Sequence, residues 1–439
     1  MQLKSMEFLI CFLAILLVVS GCNGDNGGED DADAADGPDA AETGDTVDDK
    51  TPDADAPDVM EEDAAEDPVT EETAGDDAVE EDAGEEEEIE PAPQLAFTTN
   101  AAYDYSSGSY SVVTLDDMTV AQDVMSINSD AVVKCAGGIP MVLERFGADT
   151  VTILDIESPY SVESQFTVET GSNPVDIALR AAGDGVVTRN NVTTAAIIDL
   201  GDGELDTESL DLEGFADADG IPEMSAVAVT GGKIFIALQL LDRETAFWDP
   251  TGPGLVVVFD EETLDLIDVD PETADVDDAI ALTAANPQPG FQASPAGDNV
   301  LYVAEVGFYG VLDGGIEGFN VSTYEAGGFI VSEETLGGDI AAWVVVDAGT
   351  GYAAVNLPGF AGDRLVRFDP SDGTVTDEPV FESAAYTLTA MALTSDHRLL
   401  VADRDLEGSG IVVFAADTGE QIGDSPIATG VAPFSICVL

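Results

Sequence analysis

The stretch SPAGDNVLYVA, residues 294–304, decides the fold of this 439-residue chain. Its first half is a tight turn containing Gly297 and Asp298, and its second half is an apolar run of strand-forming residues. A related element, an apolar run that ends in Asp, is clear in VTILD, residues 151–155. Both elements return with variations from about residue 95 onward, at a spacing of roughly 40 to 50 residues. The chain is therefore an array of similar units made of strands and turns.

Units of this length, built only from strands, predict an all-β domain folded as a seven-bladed β-propeller over residues 95–439. The segment 95–124 holds only three strands, and Pro433 to Leu439 supplies a single strand. We expect these two ends to complete a seventh blade, a 3+1 closure that removes open sheet edges. A β-sandwich pair would share the strand alternation but not the matching half-units. Six full units start near Ala131, Pro174, Met224, Phe291, Ile340 and Tyr386.

These motifs resemble the lactonase-like and YVTN-repeat propellers of bacteria. In that family the repeat reads as Pro, an apolar strand, a Ser-Pro-Asp-Gly turn, Leu-Tyr-Val-Ala, and a strand ending in Asp. The match is close at 294–304 and partial at 174–199 and 394–403. The resemblance implies the fold, but the family includes enzymes, binding modules and surface proteins, so function must be argued from a site. None of the family's catalytic residues is carried over to this sequence.

Residues 1–21 are typical of a secretory signal peptide, with one lysine ahead of an apolar run. The run ends in Val-Ser-Gly followed by Cys22, which resembles the lipobox of bacterial lipoproteins. This resemblance implies that Cys22 is acylated and anchors the chain to a membrane. Asn23 in place of Asp favours the outer membrane, with the domain periplasmic or surface-exposed. The alternative is an uncleaved transmembrane anchor, for which the run is short.

Residues 22–94 are predicted to be an acidic disordered tether. Between Asn23 and Gln94 there are 31 acidic residues, one lysine and no aromatic residue. Such a segment has almost nothing to bury and repels itself, so we expect it to be extended and to hold the domain away from the membrane. The alternative is a tract that collects cations or a basic partner.

The charge balance excludes one class of partner. The chain has 90 acidic and 12 basic residues, a net charge of −78, and segment 95–439 alone has 58 acidic and 10 basic residues. Nucleic acid needs a basic surface, so no nucleic-acid partner is expected, and direct contact with anionic lipid is disfavoured. Two explanations of the acidity stay open, adaptation to high salt and a surface meant for cations.

The long loops are predicted to lie on one face of the propeller. In a blade, the connection from the second to the third strand and the connection between blades share a face, and the long insertions are of these two kinds. Aromatic residues in such loops could bind a glycan or a protein partner, or could cap the core of the local blade. The candidate ligand-binding residues are Phe247, Trp248, Phe308, Tyr309 and Phe360.

One acidic string is a candidate metal site. Asp217, Asp219 and Glu223 have a spacing similar to the start of a calcium-binding loop, in which alternate acidic side chains converge. Ca²⁺ is thus a possible ligand, and no other cofactor is expected. The alternative is a solvated turn in a very acidic chain.

Two cysteines remain in the folded part, Cys135 and Cys437. They lie in the predicted innermost strands of the first and last blades, which ring closure makes neighbours. Outside the cytoplasm a disulfide is permitted, and this one would lock the closure. Two buried thiols are the alternative.

Catalysis has little support in the sequence. The single histidine, His397, lies in a short turn on the predicted opposite face, so neither a Ser/His/Asp triad nor a histidine-based metal site is expected. We predict a non-enzymatic, membrane-anchored extracytoplasmic binding or scaffolding module that recognises a protein or glycan through its long-loop face. The alternative is a carboxylate- or calcium-dependent hydrolase, lactonase-like or glycosidase-like, at the pore mouth.

Overall fold

A computed structural model describes residues 94–439 of the chain, except 202, 204, 274–277 and 424–425. The predicted signal peptide, the lipidation site Cys22 and all but the last residue of the predicted tether lie outside the described residues. Among the helices of the described part, none has the length and apolarity needed to cross a membrane.

In the described residues, thirty strands form seven antiparallel sheets, the blades of the propeller, together with one small hairpin, β14 with β15. A 3-10 turn (Glu213–Phe215) and a one-turn helix (Glu333–Leu336) are the helical segments of this part. The outer edge of blade 6 is completed by two isolated bridges, Ile411 to Ile427 and Phe414 to Gln421. In chain order the strands are β1 (Leu95–Ala101), β2 (Gly108–Thr114) and β3 (Thr119–Ile127) in blade 7; β4 (Ala131–Ala136), β5 (Ile139–Glu144), β6 (Thr150–Leu154) and β7 (Val162–Thr167) in blade 1; β8 (Pro174–Leu179), β9 (Gly185–Arg189), β10 (Thr194–Ile198) and β11 (Leu205–Asp211) in blade 2; β12 (Met224–Thr230), β13 (Lys233–Leu238), β14 (Leu241–Asp242), β15 (Asp249–Pro250), β16 (Leu255–Asp260), β17 (Leu266–Ile267) and β18 (Ile280–Ala281) in blade 3; β19 (Pro287–Ala293), β20 (Val300–Glu305), β21 (Gly315–Asn320) and β22 (Ala326–Ser332) in blade 4; β23 (Asp339–Asp347), β24 (Thr350–Asn356), β25 (Asp363–Phe368) and β26 (Phe381–Ser383) in blade 5; β27 (Leu388–Leu393), β28 (Arg398–Asp403) and β29 (Gly410–Ala415) in blade 6; and β30 (Pro433–Val438) in blade 7.

The inner strands of the blades form a ring around the axis. They are β4, β8, β12, β19, β23, β27 and β30, and each contacts the next one around the circle, with β30 returning to β4. The seven-bladed propeller predicted from the repeats is therefore confirmed, and so is the 3+1 closure, because β30 pairs with β1.

Burial explains why the second strand of each blade reads as a continuous apolar run. Strands β5, β13 and β28 are covered on both sides by neighbouring blades, and all but their first residues are buried. The outermost strand of blade 1, β7, instead alternates exposed and half-buried residues, since only one of its sides meets the core. A continuous apolar run therefore indicates a strand that is covered on both faces, and alternation indicates a strand with one face towards solvent.

The decisive stretch 294–304 forms the turn into β20 and the strand itself. The Ser294 amide donates to the Val300 carbonyl at 2.9 Å, and the Gly297 amide donates back to the Ser294 carbonyl at 3.1 Å. Gly297 has φ of +65°, a conformation in which a side chain is strained, so glycine permits this turn. The short connection keeps this end of the blade compact.

An Asp or Asn at the end of the third strand has the same task in blades 1 to 5. Its side-chain Oδ1 accepts the backbone N–H two residues later, at 2.7 to 3.0 Å, which is an Asx turn. This bond starts the connection to the fourth strand, which explains why an apolar run ending in Asp recurs. The residues that do this are Asp155, Asp199, Asp260, Asn320 and Asp369.

The closure joins the two ends of the domain. In the pairing of β1 with β30, Phe97 lies opposite Cys437, and the Leu439 amide donates to the Leu95 carbonyl at 2.9 Å. Cys437 forms a disulfide with Cys135 of β4, with the two Cα atoms 5.6 Å apart and a sequence separation of 302. The bridge connects blade 7 to blade 1 across the point where the ring closes.

Candidate functional site

Exposed apolar side chains concentrate on the long-loop face. Among the described residues, eleven large hydrophobic side chains are exposed, and eight of them lie between the second and third strands of a blade. Six of the seven blades contribute, so these side chains surround the end of the central channel. We call them the apolar rim; its members are Tyr103, Phe146, Phe247, Phe308, Tyr309, Val311, Phe360 and Leu406.

A cavity of about 390 Å³ lies inside this rim, where the inner strands of blades 1 to 4 begin. We call it the mouth pocket. It has the size of a small-ligand site, since such sites typically span roughly 300 to 1,000 Å³. The lining residues are Val132, Lys134, Arg145, Asn173, Val175, Asn190, Ser225, Gln239, Leu241, Phe247, Trp248, Asn286, Gln288, Pro289, Gly290 and Tyr309.

Three of the five predicted aromatic residues meet in the mouth pocket, namely Phe247, Trp248 and Tyr309. The Tyr309 hydroxyl accepts a hydrogen bond from the Gln288 side chain, which ties the blade 4 loop to an inner strand. The other two predicted residues do not line the pocket. Phe308 is exposed beside Tyr309, and the Phe360 ring lies 5.4 Å from the ring of Tyr386.

Trp248 packs against the cation of a partly buried ion pair. The Arg243 guanidinium stands 4.7 Å from the centre of the indole, a cation–π contact. Arg243 is fixed by Glu223 at 2.6 Å and by the Asn190 carbonyl and the Asn191 side chain at 2.8 and 3.0 Å. The indole therefore has a platform with few alternative positions.

Glu223 is part of this platform. It is fully buried and accepts the Leu241 amide as well as Arg243. Burial raises the pKa of Glu223 to about 7, although both donors oppose the shift. Its role as an anchor depends on a partner 20 residues away, which the local acidic string does not reveal.

The other two members of the predicted metal site serve the turn itself. Asp217 accepts the Asp219 amide at 3.1 Å and the Thr251 hydroxyl at 2.9 Å, and Asp219 accepts the Ile221 amide at 2.8 Å. Within the described ranges, no group of three or more His, Cys, Asp or Glu side chains is arranged to hold a metal ion. The predicted cation site at Asp217, Asp219 and Glu223 is therefore not assembled in the structure.

A chain of side-chain amides links the neighbouring blades 2, 3 and 4 at the mouth pocket. Asn190 donates to the Gln239 side chain at 3.3 Å, and Gln239 donates to the Asn286 side chain at 2.6 Å. Asn286 continues the chain to the Gly307 carbonyl at 3.3 Å. Sequence reasoning missed these residues; the available signal was a polar residue directly after an apolar second strand, as in Gln239 after β13.

The cations of the mouth pocket are Lys134 and Arg145. The Lys134 ammonium lies 2.8 Å from Asp176, which is buried and also accepts the amides of Ile177 and Val227. Arg145 pairs with Asp130. No carboxylate is among the described residues that line the pocket, although acidic residues outnumber basic ones 90 to 12 in the chain.

Buried acids occur in blade 4 and in the one-turn helix that follows it. Glu305 and Glu317 are fully buried, and Glu317 accepts the Thr283 amide and hydroxyl and the Gly328 amide. Burial, with the adjoining Glu317, raises the pKa of Glu305 to about 9, so Glu305 carries a proton at neutral pH. Burial likewise raises the pKa of Glu333 to about 8.

His397 takes no part in this site. It lies in the turn between β27 and β28, on the short-turn face, with Nδ1 2.8 Å from the Asp417 carboxylate and more than half of its side chain exposed. Its location agrees with the prediction of a solvated turn residue away from the long-loop face.

Comparison with solved structures agrees with the β-propeller fold of the domain. A candidate 6-phosphogluconolactonase from Bacteroides uniformis aligns at a TM-score of 0.54 and 15% identity, covering 79% of this chain and 100% of that one. A candidate 6-phosphogluconolactonase from Bacteroides fragilis gives 0.52 and 13%, covering 80% and 100%. A protein from Lactobacillus plantarum gives 0.54 and 11%, covering 79% and 99%. At these identities the likeness concerns the fold alone.

No protein-family model matches the sequence, and no curated protein is similar to it in sequence. The function therefore has to be argued from the mouth pocket and the apolar rim.

Proposed function

We propose that the protein is a non-enzymatic binding module that captures a saccharide in the mouth pocket. The observation that carries this proposal is the meeting of Phe247, Trp248 and Tyr309 with a set of side-chain amides in one cavity. Aromatic faces pack against the C–H surface of a sugar ring, and amides exchange hydrogen bonds with its hydroxyls. A neutral sugar ring requires both an aromatic face for its C–H surface and amides for its hydroxyls.

The platform under Trp248 supports the same function. A binding site gains affinity when its contact groups are already held in the bound geometry, because less side-chain freedom is lost on binding. The Arg243 contact holds the indole, and Glu223 with two asparagines holds Arg243. An inward-facing, fixed indole suits ligand stacking better than a purely structural role.

Membrane attachment is part of the proposal and rests on the sequence. The lipobox resemblance at Cys22 supports a lipoprotein, with the outer membrane favoured by Asn23. The acidic segment 22–94 would then separate the propeller from the membrane, with its long-loop face available to ligand. Growth of the organism with a labelled fatty acid tests this point, because the label should enter the chain and be lost in Cys22→Ala.

The hydrolase alternative has less support. A carboxylate hydrolase needs acids at the reacting bond, whereas the described lining of the mouth pocket has none. The neighbouring Asp176 is committed to Lys134 and two amides. We propose that the protein releases its saccharide unchanged; product analysis after prolonged incubation with oligosaccharides and small lactones tests this.

A second candidate, docking of a protein partner, is favoured by the apolar rim. Several exposed apolar side chains on one face of a domain are typical of interaction surfaces. Phe146 and Leu406 belong to the rim but do not line the mouth pocket. Phe146→Ser with Leu406→Ser should therefore weaken protein docking while saccharide binding is preserved.

Calorimetric titration of the full chain with an oligosaccharide panel tests the proposed function. The panel contains neutral galactose oligomers, galacturonic-acid oligomers and sulfated galactose oligomers. Tyr309→Ala should weaken binding about tenfold, which is the usual effect of removing an aromatic contact at a binding centre. Phe308→Ala is the matched control, since Phe308 is exposed in the same loop but outside the pocket. Equal affinities of both variants and the wild type would reject the mouth pocket as the binding site.

A further inference from the structure

We propose that the saccharide captured by the mouth pocket carries an anionic group, a carboxylate or a sulfate ester, and that Lys134 recognises it. This inference rests on the proposed function and specifies its ligand class. The first observation is the composition of the pocket, which is lined by Lys134 and Arg145 and, in the described residues, by no carboxylate. The folded segment has 58 acidic and 10 basic residues. The charged side chains that line this cavity are therefore opposite in sign to most charged residues of the domain.

The geometry at Lys134 exposes the cation and hides its partner. Lys134 retains 34% of its side-chain exposure, against 6% for Asp176. Asp176 lies on the inner strand β8 and accepts the Ile177 and Val227 amides at 2.9 and 3.1 Å, which hold its carboxylate in a buried position. An ammonium group has three N–H donors, and the Asp176 contact uses one of them. A ligand entering the pocket therefore meets the ammonium group and its remaining donors.

Further positive charge lies beside the pocket. Arg145 stands 5.9 Å from the centre of the Phe434 ring, and Arg404 stands 5.4 Å from the same ring. Arg404 is buried and forms no ion pair with any described residue. Its Nη1 has no hydrogen-bond partner there. The guanidinium instead contacts the rings of Tyr103 and Tyr105.

These charges select the ligand by two effects. An uncompensated cation such as Arg404 contributes a field that favours anions near it, and partial exclusion of water from a cavity strengthens that field. A charge-assisted hydrogen bond from Lys134 then adds direction and strength beyond that of a neutral pair. Neutral sugars can use the aromatic rings and amides, but the charged contact is available only to an acidic sugar.

The test compares the three arms of the oligosaccharide panel on the full chain. We expect galacturonic-acid or sulfated galactose oligomers to bind at least about tenfold more tightly than neutral galactose oligomers at about 0.1 M salt. The preference should shrink at about 1 M salt, where screening reaches about 3 Å. The stronger of the two anionic arms identifies the anion.

Lys134→Gln should remove most of this preference, because the substitution deletes the charged donor while keeping a side chain of similar length. Lys233→Gln is the matched control, because Lys233 begins β13 at the short-turn face and lies over Tyr324. Lys134→Gln leaves Asp176 buried without its cation, so the double variant with Asp176→Asn provides a second version in which no charge is left unpaired. Lys134→Arg should retain the preference.

The outcomes separate this inference from the proposed function. Equal affinity for neutral and anionic oligomers, with Tyr309→Ala still impaired, would overturn the anionic ligand and preserve the saccharide-binding function. If Lys134→Gln and its double variant with Asp176→Asn both still preferred the anionic oligomers, the assignment to Lys134 would be overturned. A panel in which no oligomer binds would overturn the function and the inference together.

Discussion

Replacing Glu305 with Gln should make the stability of the domain less dependent on pH. Glu305 is fully buried next to Glu317, and burial together with this neighbour raises its pKa to about 9. In the unfolded chain an ordinary glutamate titrates near pH 4.3. Between these two values the folded state binds more protons than the unfolded state, so raising the pH destabilises the fold.

The size of the effect follows from the same two values. Each pH unit inside this window changes the free energy of unfolding by about 1.4 kcal/mol per group. Between pH 5 and pH 8, the titration of Glu305 alone should therefore lower the free energy of unfolding by about 4 kcal/mol. That is a large part of the roughly 5 to 15 kcal/mol by which domains are stable. The side-chain amide introduced by Glu305→Gln does not titrate, and it can donate to Glu317 and accept the Ala284 amide as the protonated acid does.

Urea unfolding at pH 5, 6, 7 and 8, at one high salt concentration, measures the effect. We expect Glu305→Gln to match the wild type near pH 5 and to exceed its stability by about 4 kcal/mol at pH 8. Glu325→Gln is the control, since Glu325 is exposed and the substitution removes the same formal charge. If both variants showed the wild-type slope, the slope would arise from overall charge repulsion, and the protonated state of Glu305 would be refuted.

Three further predictions concern the closure, the indole platform and the pocket. Cys135→Ser with Cys437→Ser should lower the free energy of unfolding by about 2 to 5 kcal/mol, because the bridge closes a very long loop; chemical unfolding without reductant measures this, and unchanged stability would contradict it. Arg243→Ala should shift the tryptophan emission and lower the free energy of unfolding by about 3 to 5 kcal/mol, because it leaves Glu223 buried without its cation. Adding Glu223→Gln should recover part of this stability, and an unaltered emission spectrum would show that Arg243 does not hold Trp248. Trp248→Ala should weaken saccharide binding about tenfold or more without loss of stability; full affinity in this variant would remove the indole from the binding site.

Much of the fold was predictable because its determinants are local. The turn at 294–304 needs only a glycine at φ of +65° and two backbone hydrogen bonds. In blades 1 and 2 the Asp after the third strand makes its bond two residues away, so the motif is visible in sequence. The closure was predictable for a different reason, since three strands at one end and one at the other can avoid open edges only by pairing.

The site was predictable only in part, because its contacts are distant in sequence. The loop position of Trp248 and Tyr309 indicated the face on which the mouth pocket lies, but nothing local shows that they share a cavity with Lys134, more than 100 residues earlier. Glu223 looked like a metal ligand because its neighbours are acidic. The partner of Glu223 is Arg243, which lies in the connection between β13 and β16 of the same blade. Folding places this connection beside the start of β12.

Tryptophan fluorescence during saccharide titration tests the central claim most directly. The chain has two tryptophans. Trp248 lines the mouth pocket, whereas Trp343 is buried and donates to the Pro289 carbonyl at 3.0 Å. A ligand in the pocket should change the emission of the wild type and of Trp343→Phe, and this change should vanish in Trp248→Phe. Saccharide binding that leaves the emission of Trp343→Phe unaltered would place the ligand elsewhere and contradict the account.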